Sequence, residues 1–157
     1  MENEIKLAKD DILRLRIKTA DGKDTGESLE FDLEDLELPL RYQEMMEKDK
    51  KNVEWLEKKL TAIKKRQDIK GKKLLSKNEE DALKAINKYF QQEAEIYNMF
   101  LGENGVEKLL NGRKLGWTSL EEIGNIIKNQ IVPYFEKIGK EAEDKINMIK
   151  EKYKKAE

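Results

Sequence analysis

The sequence predicts a mainly α-helical protein with a small N-terminal β-hairpin, an α+β fold in which long helices pack as an antiparallel bundle and the C-terminal helix extends furthest. Three observations predict it. Two short stretches ahead of Pro39 alternate apolar and polar residues, as half-buried strands do. Beyond Pro39, apolar residues recur every three or four positions through long runs, which is the helical period. The only two prolines, Pro39 and Pro133, stand at a helix start and within a helical run rather than among the strands.

The elements follow in chain order. Ile12 to Lys18 sets Leu13, Leu15 and Ile17 on one face and Arg14, Arg16 and Lys18 on the other. Thr19 to Glu27 carries Asp-Gly and Thr-Gly turn chemistry, and Ser28 to Leu33 alternates again through Leu29, Phe31 and Leu33, completing a hairpin over 12–33. A lone hairpin is marginal in water, so its apolar face needs a helix of this chain or a strand of another. Pro39 then opens a long helix behind Asp35 and Glu37, whose charge favours the positive end of the helix dipole. Its stripe of Tyr42, Met46, Val53, Leu56, Leu60 and Ile63 approaches a heptad seam interrupted by Asp49, and Gly71 ends the element.

Ser76 caps the next helix, with Glu79 completing a capping box. That helix carries Leu83, Ile86, Phe90, Ala94, Tyr97 and Leu101, broadened by Ala82, Tyr89, Ile96 and Phe100. Residues 102–117 hold four glycines around Val106, Leu109 and Leu110, a loop with one small helix. Thr118 and Glu121 form a second capping box, opening a final helix from Leu120 to Tyr153 that Pro133 bends near Asn129 to Ile131. Residues 1–157 read as one domain: the hairpin, a helical region over 39–155, and a lysine-rich C-terminal tail whose last turns fray.

Composition limits the chemistry. The 157 residues include no histidine and no cysteine, which removes the usual general base near neutral pH, the thiolate nucleophile and the commonest transition-metal ligands. Charged residues make up 41% against 38% hydrophobic, a balance of solvated helices with narrow apolar stripes, and the net charge of -1 gives no global attraction to phosphate. Charge is polarised along the chain, however: Asp24 to Glu37 holds seven acids and no base, whereas Lys48 to Lys73 holds eleven bases and four acids. No apolar run reaches a membrane-spanning length and the N-terminus lacks the basic-then-apolar order of a signal peptide, so a cytoplasmic protein with no membrane partner is expected.

Contact, not catalysis, is therefore the expected mode of action, and no catalytic, cofactor-binding or metal-ligating residue is assigned. The carboxylate pairs Glu79/Glu80 and Glu121/Glu122 sit in first helical turns, where capping explains them, and Asp21 to Asp24 lacks the downstream glutamate of a calcium loop. Candidate protein-binding residues are Met46, Val53, Leu56 and Leu60 on the seam, where methionine suits a variable helical partner, and Arg113 and Trp117 in the loop NGRKLGW. Trp117 has a second reading as a plug between the last two helices. The basic run Lys64 to Lys73 reads as a solvated helix end; it is interrupted by Asp68 and has no interleaved aromatic for base stacking, so nucleic acid is not the expected partner.

The hairpin, the phrase FDLEDLELPLRYQEMMEK over Phe31 to Lys48 and the phrase GWTSLEEIGNIIKNQIVPYFEKI over Gly116 to Ile138 together resemble small prophage proteins of Gram-positive bacteria, the tail assembly chaperones of long-tailed phages. The resemblance implies a factor in the host cytoplasm, absent from the mature virion, that coats the tape measure protein and helps recruit tail tube subunits. A homo-oligomer is a further expectation, and a nucleic-acid-binding prophage regulator using Lys64 to Lys73 is the alternative.

Overall fold

The computed structural model describes residues 1–7 and 11–156. Part of the N-terminal stretch read for a signal peptide, and Glu157 of the tail, thus lie outside the described residues. In chain order the elements are β1 (Ile12–Lys18), β2 (Asp24–Asp32), α1 (Leu38–Lys65), α2 (Lys77–Leu101), α3 (Gly105–Leu110), α4 (Trp117–Gln130) and α5 (Pro133–Ala156). This is the expected mainly helical α+β fold. The chain gathers into two compact units: a first of Met1–Pro39 with Gly124–Glu157, and a second of Leu40–Ile123.

In the first unit the antiparallel strands pair Leu13 with Phe31 and Leu15 with Leu29, so the apolar residues share one face as the alternation requires. The turn is tighter than expected, because β2 begins at Asp24 and not at Ser28. Thr19 and Lys23 close it through a backbone bond of 2.8 Å, with Gly22 at the positive φ that a side chain resists. Thr25, read as turn chemistry, instead donates its hydroxyl to the Ile17 carbonyl at 2.8 Å, where the register shifts between Arg16 and Lys18. Ile17, Leu29, Phe31, Leu33 and Leu38 are buried, as are Ile127, Ile131 and Ile138 from the helices of the same unit. The hairpin face is thus covered within the chain. A Lys137 to Asp11 ion pair of 3.2 Å fastens α5 to the residue preceding β1.

Pro133 divides the last helical run at the expected place. Lacking an N–H, it cannot continue the backbone ladder, and the Val132 N–H turns back to the Ile127 carbonyl at 2.9 Å, one residue beyond the α-helical partner. Ile131, fully buried, occupies this joint. Beyond it α5 continues through Ala156.

In the second unit α1 and α2 are antiparallel. Their contacts run from the Tyr42–Phe100 ring pair at one end to Arg66 with Asn78 and Asp81 at the other. Ser76 caps α2 as expected, its Oγ accepting from the Glu79 N–H at 3.2 Å. The stripes facing the core keep most of the expected residues and differ at a few positions. On α1, Met45, Asn52, Leu56 and Ile63 are buried while Met46 is exposed; on α2, Ala85, Tyr89, Glu93, Tyr97, Phe100 and Leu101 are buried while Leu83 is exposed. Met45 is buried in the core, whereas Met46 and Met99 are exposed.

Asn98, on the last turn of α2, sets the start of α3: its Oδ1 accepts from the Val106 N–H at 2.8 Å and its Nδ2 donates to Glu107 at 2.9 Å. At α4 the expected Thr118 cap is replaced by one formed a residue or two away. The Gly116 N–H donates to Ser119 Oγ at 2.8 Å, and Thr118 lies within the helix.

Candidate functional site

The six candidate binding residues divide into three groups. Leu56 is buried in a cluster with Ala85 and Tyr89, and Val53 and Leu60 pack against that cluster half-buried. Most of the seam read on α1 is therefore satisfied by α2, and Leu56 in particular offers nothing to a partner, which corrects its assignment. Met46 does face outward. It lies with Val53 on a shallow concavity of about 630 Å³ bordered by Gln43, Glu47, Asp49, Lys50, Glu54 and Glu57.

Arg113 and Trp117 are brought together, as their loop placement predicts. Both line a concavity of about 280 Å³ with Lys114, Gly116, Thr118, Ser119 and Glu122. The Trp117 ring packs on α2, 4.7 Å from Phe90 and 5.8 Å from Tyr89, centroid to centroid, while 59% of the residue remains exposed. Arg113 directs its Nε to the Leu110 carbonyl at 3.4 Å, which leaves the guanidinium at the surface.

A further apolar surface lies elsewhere. In the first unit Leu33, Leu36, Ile138, Ala142, Ile146 and Ile149 line a groove of about 340 Å³, with Glu34, Glu141 and Lys145 as its charged members. On α5 the stripe continues to Tyr153, and Ile146, Ile149 and Tyr153 are each more than half exposed. The sequence marks Ile146, Ile149 and Tyr153 as one helical stripe; the spacing alone does not tell a covered stripe from an open one.

A group absent from the sequence reading lies between α1 and α2. Glu93 is fully buried, and its Oε1 accepts from Asn52 Nδ2 at 3.0 Å. The same amide nitrogen donates to the Tyr89 carbonyl at 3.2 Å. No hydrogen-bond donor meets Glu93 Oε2, and the Asp49 carboxyl opposes it. Burial, reinforced by Asp49, pushes the Glu93 carboxyl up to about 8. Burial likewise raises the Tyr89 and Tyr97 hydroxyls, with Asp49 and Glu93 adding to the effect. The signal was present in the sequence: Glu93 falls midway between Tyr89 and Tyr97 at four-residue steps, the position of a core residue.

The other charged feature of the second unit is a groove of about 420 Å³ along α1 and α2, lined by Trp55, Lys59, Ile63, Arg66, Asp81, Lys84, Ala85 and Lys88. Arg66 binds Asp81 at 2.6 Å, which holds that carboxyl below its ordinary range. Among the described residues no group of three or more acidic side chains is placed to hold a metal ion, and no helix is long and apolar enough to cross a membrane. No protein-family model matches the chain, and neither a curated protein nor a solved structure matches it.

Proposed function

We propose that this chain is a non-catalytic phage tail assembly chaperone, which shields the apolar stripes of tape measure helices and helps bring tail tube subunits to them. The observation that carries the reading is the open apolar row of α5, where Ile146, Ile149 and Tyr153 continue the groove beside Leu33 and Leu36. An exposed ridge at helical spacing is what an amphipathic helical partner covers, residue against groove. The phrases over Phe31 to Lys48 and Gly116 to Ile138 supply the kind of partner, and the lack of histidine and cysteine supports action by contact. Such a factor works in the host cytoplasm and is left out of the virion.

Co-purification with fragments of the tape measure protein from the same phage tests this. Retention by at least one helical fragment, lost on Ile146→Glu with Ile149→Glu, is expected; failure of every fragment to bind the unmodified chain overturns it. The alternative, a nucleic-acid regulator using Lys64 to Lys73, has less support in that segment, because Arg66 is engaged by Asn78 and Asp81 and Asp68 interrupts the run.

A further inference from the structure

We infer that the groove between α1 and α2 is a binding site for a nucleoside phosphate, with the base lying on Trp55 and the apolar floor and the phosphate held by Lys59 and Lys88. The inference is independent of the α5 ridge and uses residues other than the Lys64 to Lys73 run, apart from Arg66.

The groove arises from side-chain size. Trp55, Lys59 and Ile63 follow one another at four-residue steps on α1, and the α2 residue among them is Ala85, too small to fill the space. Its floor is therefore apolar: Ile63 and Ala85 are buried and Trp55 is half-buried. Four cations line it and one carboxylate, Asp81. The carboxylate is already neutralised, by Arg66 at 2.6 Å and by Lys77 at 3.3 Å. Lys84 is likewise engaged, by Glu80 at 3.0 Å.

Lys59 and Lys88 are different. Among the described residues neither has a carboxylate partner, and Lys88 instead places its Nζ 5.3 Å from the centre of the Trp55 ring. A lysine that lies over an indole holds only a weak partner there, and a phosphate is a far stronger one for it. An apolar floor bearing an indole favours a planar ring, worth about 1–3 kcal/mol when a base stacks on an aromatic side chain. Two unneutralised ammonium groups favour a phosphate dianion. Their coexistence in one concavity of about 420 Å³ selects a ligand that carries both groups. Aromatic interleaving, missing from the local sequence of the basic run, is thus supplied in space by Trp55 from the previous turns of the helix.

The source is either a free mononucleotide or an unpaired nucleotide in a single strand. The test is a fluorescence titration of the full chain carrying Trp117→Phe, in which Trp55 is the remaining tryptophan, with calorimetry on the unmodified chain beside it. The probes are adenosine 5′-monophosphate, a short single-stranded oligodeoxyadenylate, adenosine and inorganic phosphate, all at low ionic strength. Quenching and heat are expected with the nucleotide or the oligomer, weaker with adenosine or phosphate alone. Lys59→Gln with Lys88→Gln, both at exposed positions, is expected to weaken binding by about tenfold or more. Tighter binding of the oligomer identifies a strand as the source, and equal binding a free nucleotide. Absence of both signals with every probe overturns the inference, as does binding unchanged in the double variant.

Discussion

Asn52 Nδ2 donates to Glu93 Oε1 at 3.0 Å in the interior of the α1–α2 pair, while among the described residues the second oxygen of this fully buried acid meets no donor within hydrogen-bond distance. Asp49 opposes the same carboxyl, and Tyr89 and Tyr97 lie close enough for Glu93 and Asp49 to raise their hydroxyls. A carboxyl so placed is retained in its protonated form, which alone donates a hydrogen bond toward Asp49.

Stability of the second unit is therefore expected to depend on pH. The folded carboxyl, raised to about 8, holds its proton where the unfolded one, near 4.5, has lost it. The folded state binds more protons in that window, so stability falls as pH rises from about 4.5 to about 8 and levels off above, at about 1.4 kcal/mol for each pKa unit. Urea midpoints at pH 5, 7 and 9 measure this. Glu93→Gln keeps an acceptor for Asn52 and adds a donor toward Asp49, so its midpoint is expected to vary far less; an equal pH slope in both proteins excludes Glu93 as the cause.

Trp117→Ala and Arg113→Ala are expected to separate the two roles of their loop. Trp117→Ala removes ring contacts with Phe90 and Tyr89 and is expected to cost about 1–2 kcal/mol of stability, while Arg113→Ala stays within about 0.5 kcal/mol. Thermal unfolding of both variants decides it. Loss of partner binding in Arg113→Ala without loss of stability identifies a contact residue.

On α5, Ile146→Glu with Ile149→Glu is expected to leave unfolding midpoints nearly unchanged, because both side chains are already more than half in solvent. Partner capture is expected to fall. A large drop in stability, followed by circular dichroism, shows that the row is covered in the protein itself.

Ile131→Ala, at the joint before Pro133, is expected to destabilise the first unit by about 2–5 kcal/mol, since no part of the side chain is exposed and its volume is not refilled. Ser76→Ala is expected to cost about 1 kcal/mol through the lost α2 cap. Chemical denaturation of each variant provides the comparison.

The hairpin, the Ser76 cap and the Pro133 bend were legible because each depends on local chemistry: alternation, a hydroxyl three residues before an acid, a missing N–H. Two core positions of α1, Met45 and Asn52, were not. The core positions of that helix include Tyr42, Met45, Asn52, Leu56 and Ile63, and a reading that counts apolar residues passes over Asn52 and shifts to its neighbours Val53 and Met46. Glu93 was hidden for the same reason, a polar residue in a core position made tolerable by a polar residue on another helix. Thr25 and Gly26 read as turn because their composition suits one, whereas cross-strand pairing carries β2 back to Asp24. Of the candidate site, the Arg113–Trp117 pairing was legible from proximity in the chain, and the Trp55 groove was not, since only the antiparallel pairing of α1 with α2 assembles it.

The side chain of Asn98 bridges two helices across a short corner, while the stretch between Ile69 and Lys77 is closed at its base by a 2.8 Å backbone bond and bears residues in open solvent. The two connections therefore differ as places to engineer. An affinity tag or dye-bearing peptide grafted after Gly71 leaves the closing bond intact, whereas the same graft between Gly102 and Gly105 parts Asn98 from Val106 and detaches α3.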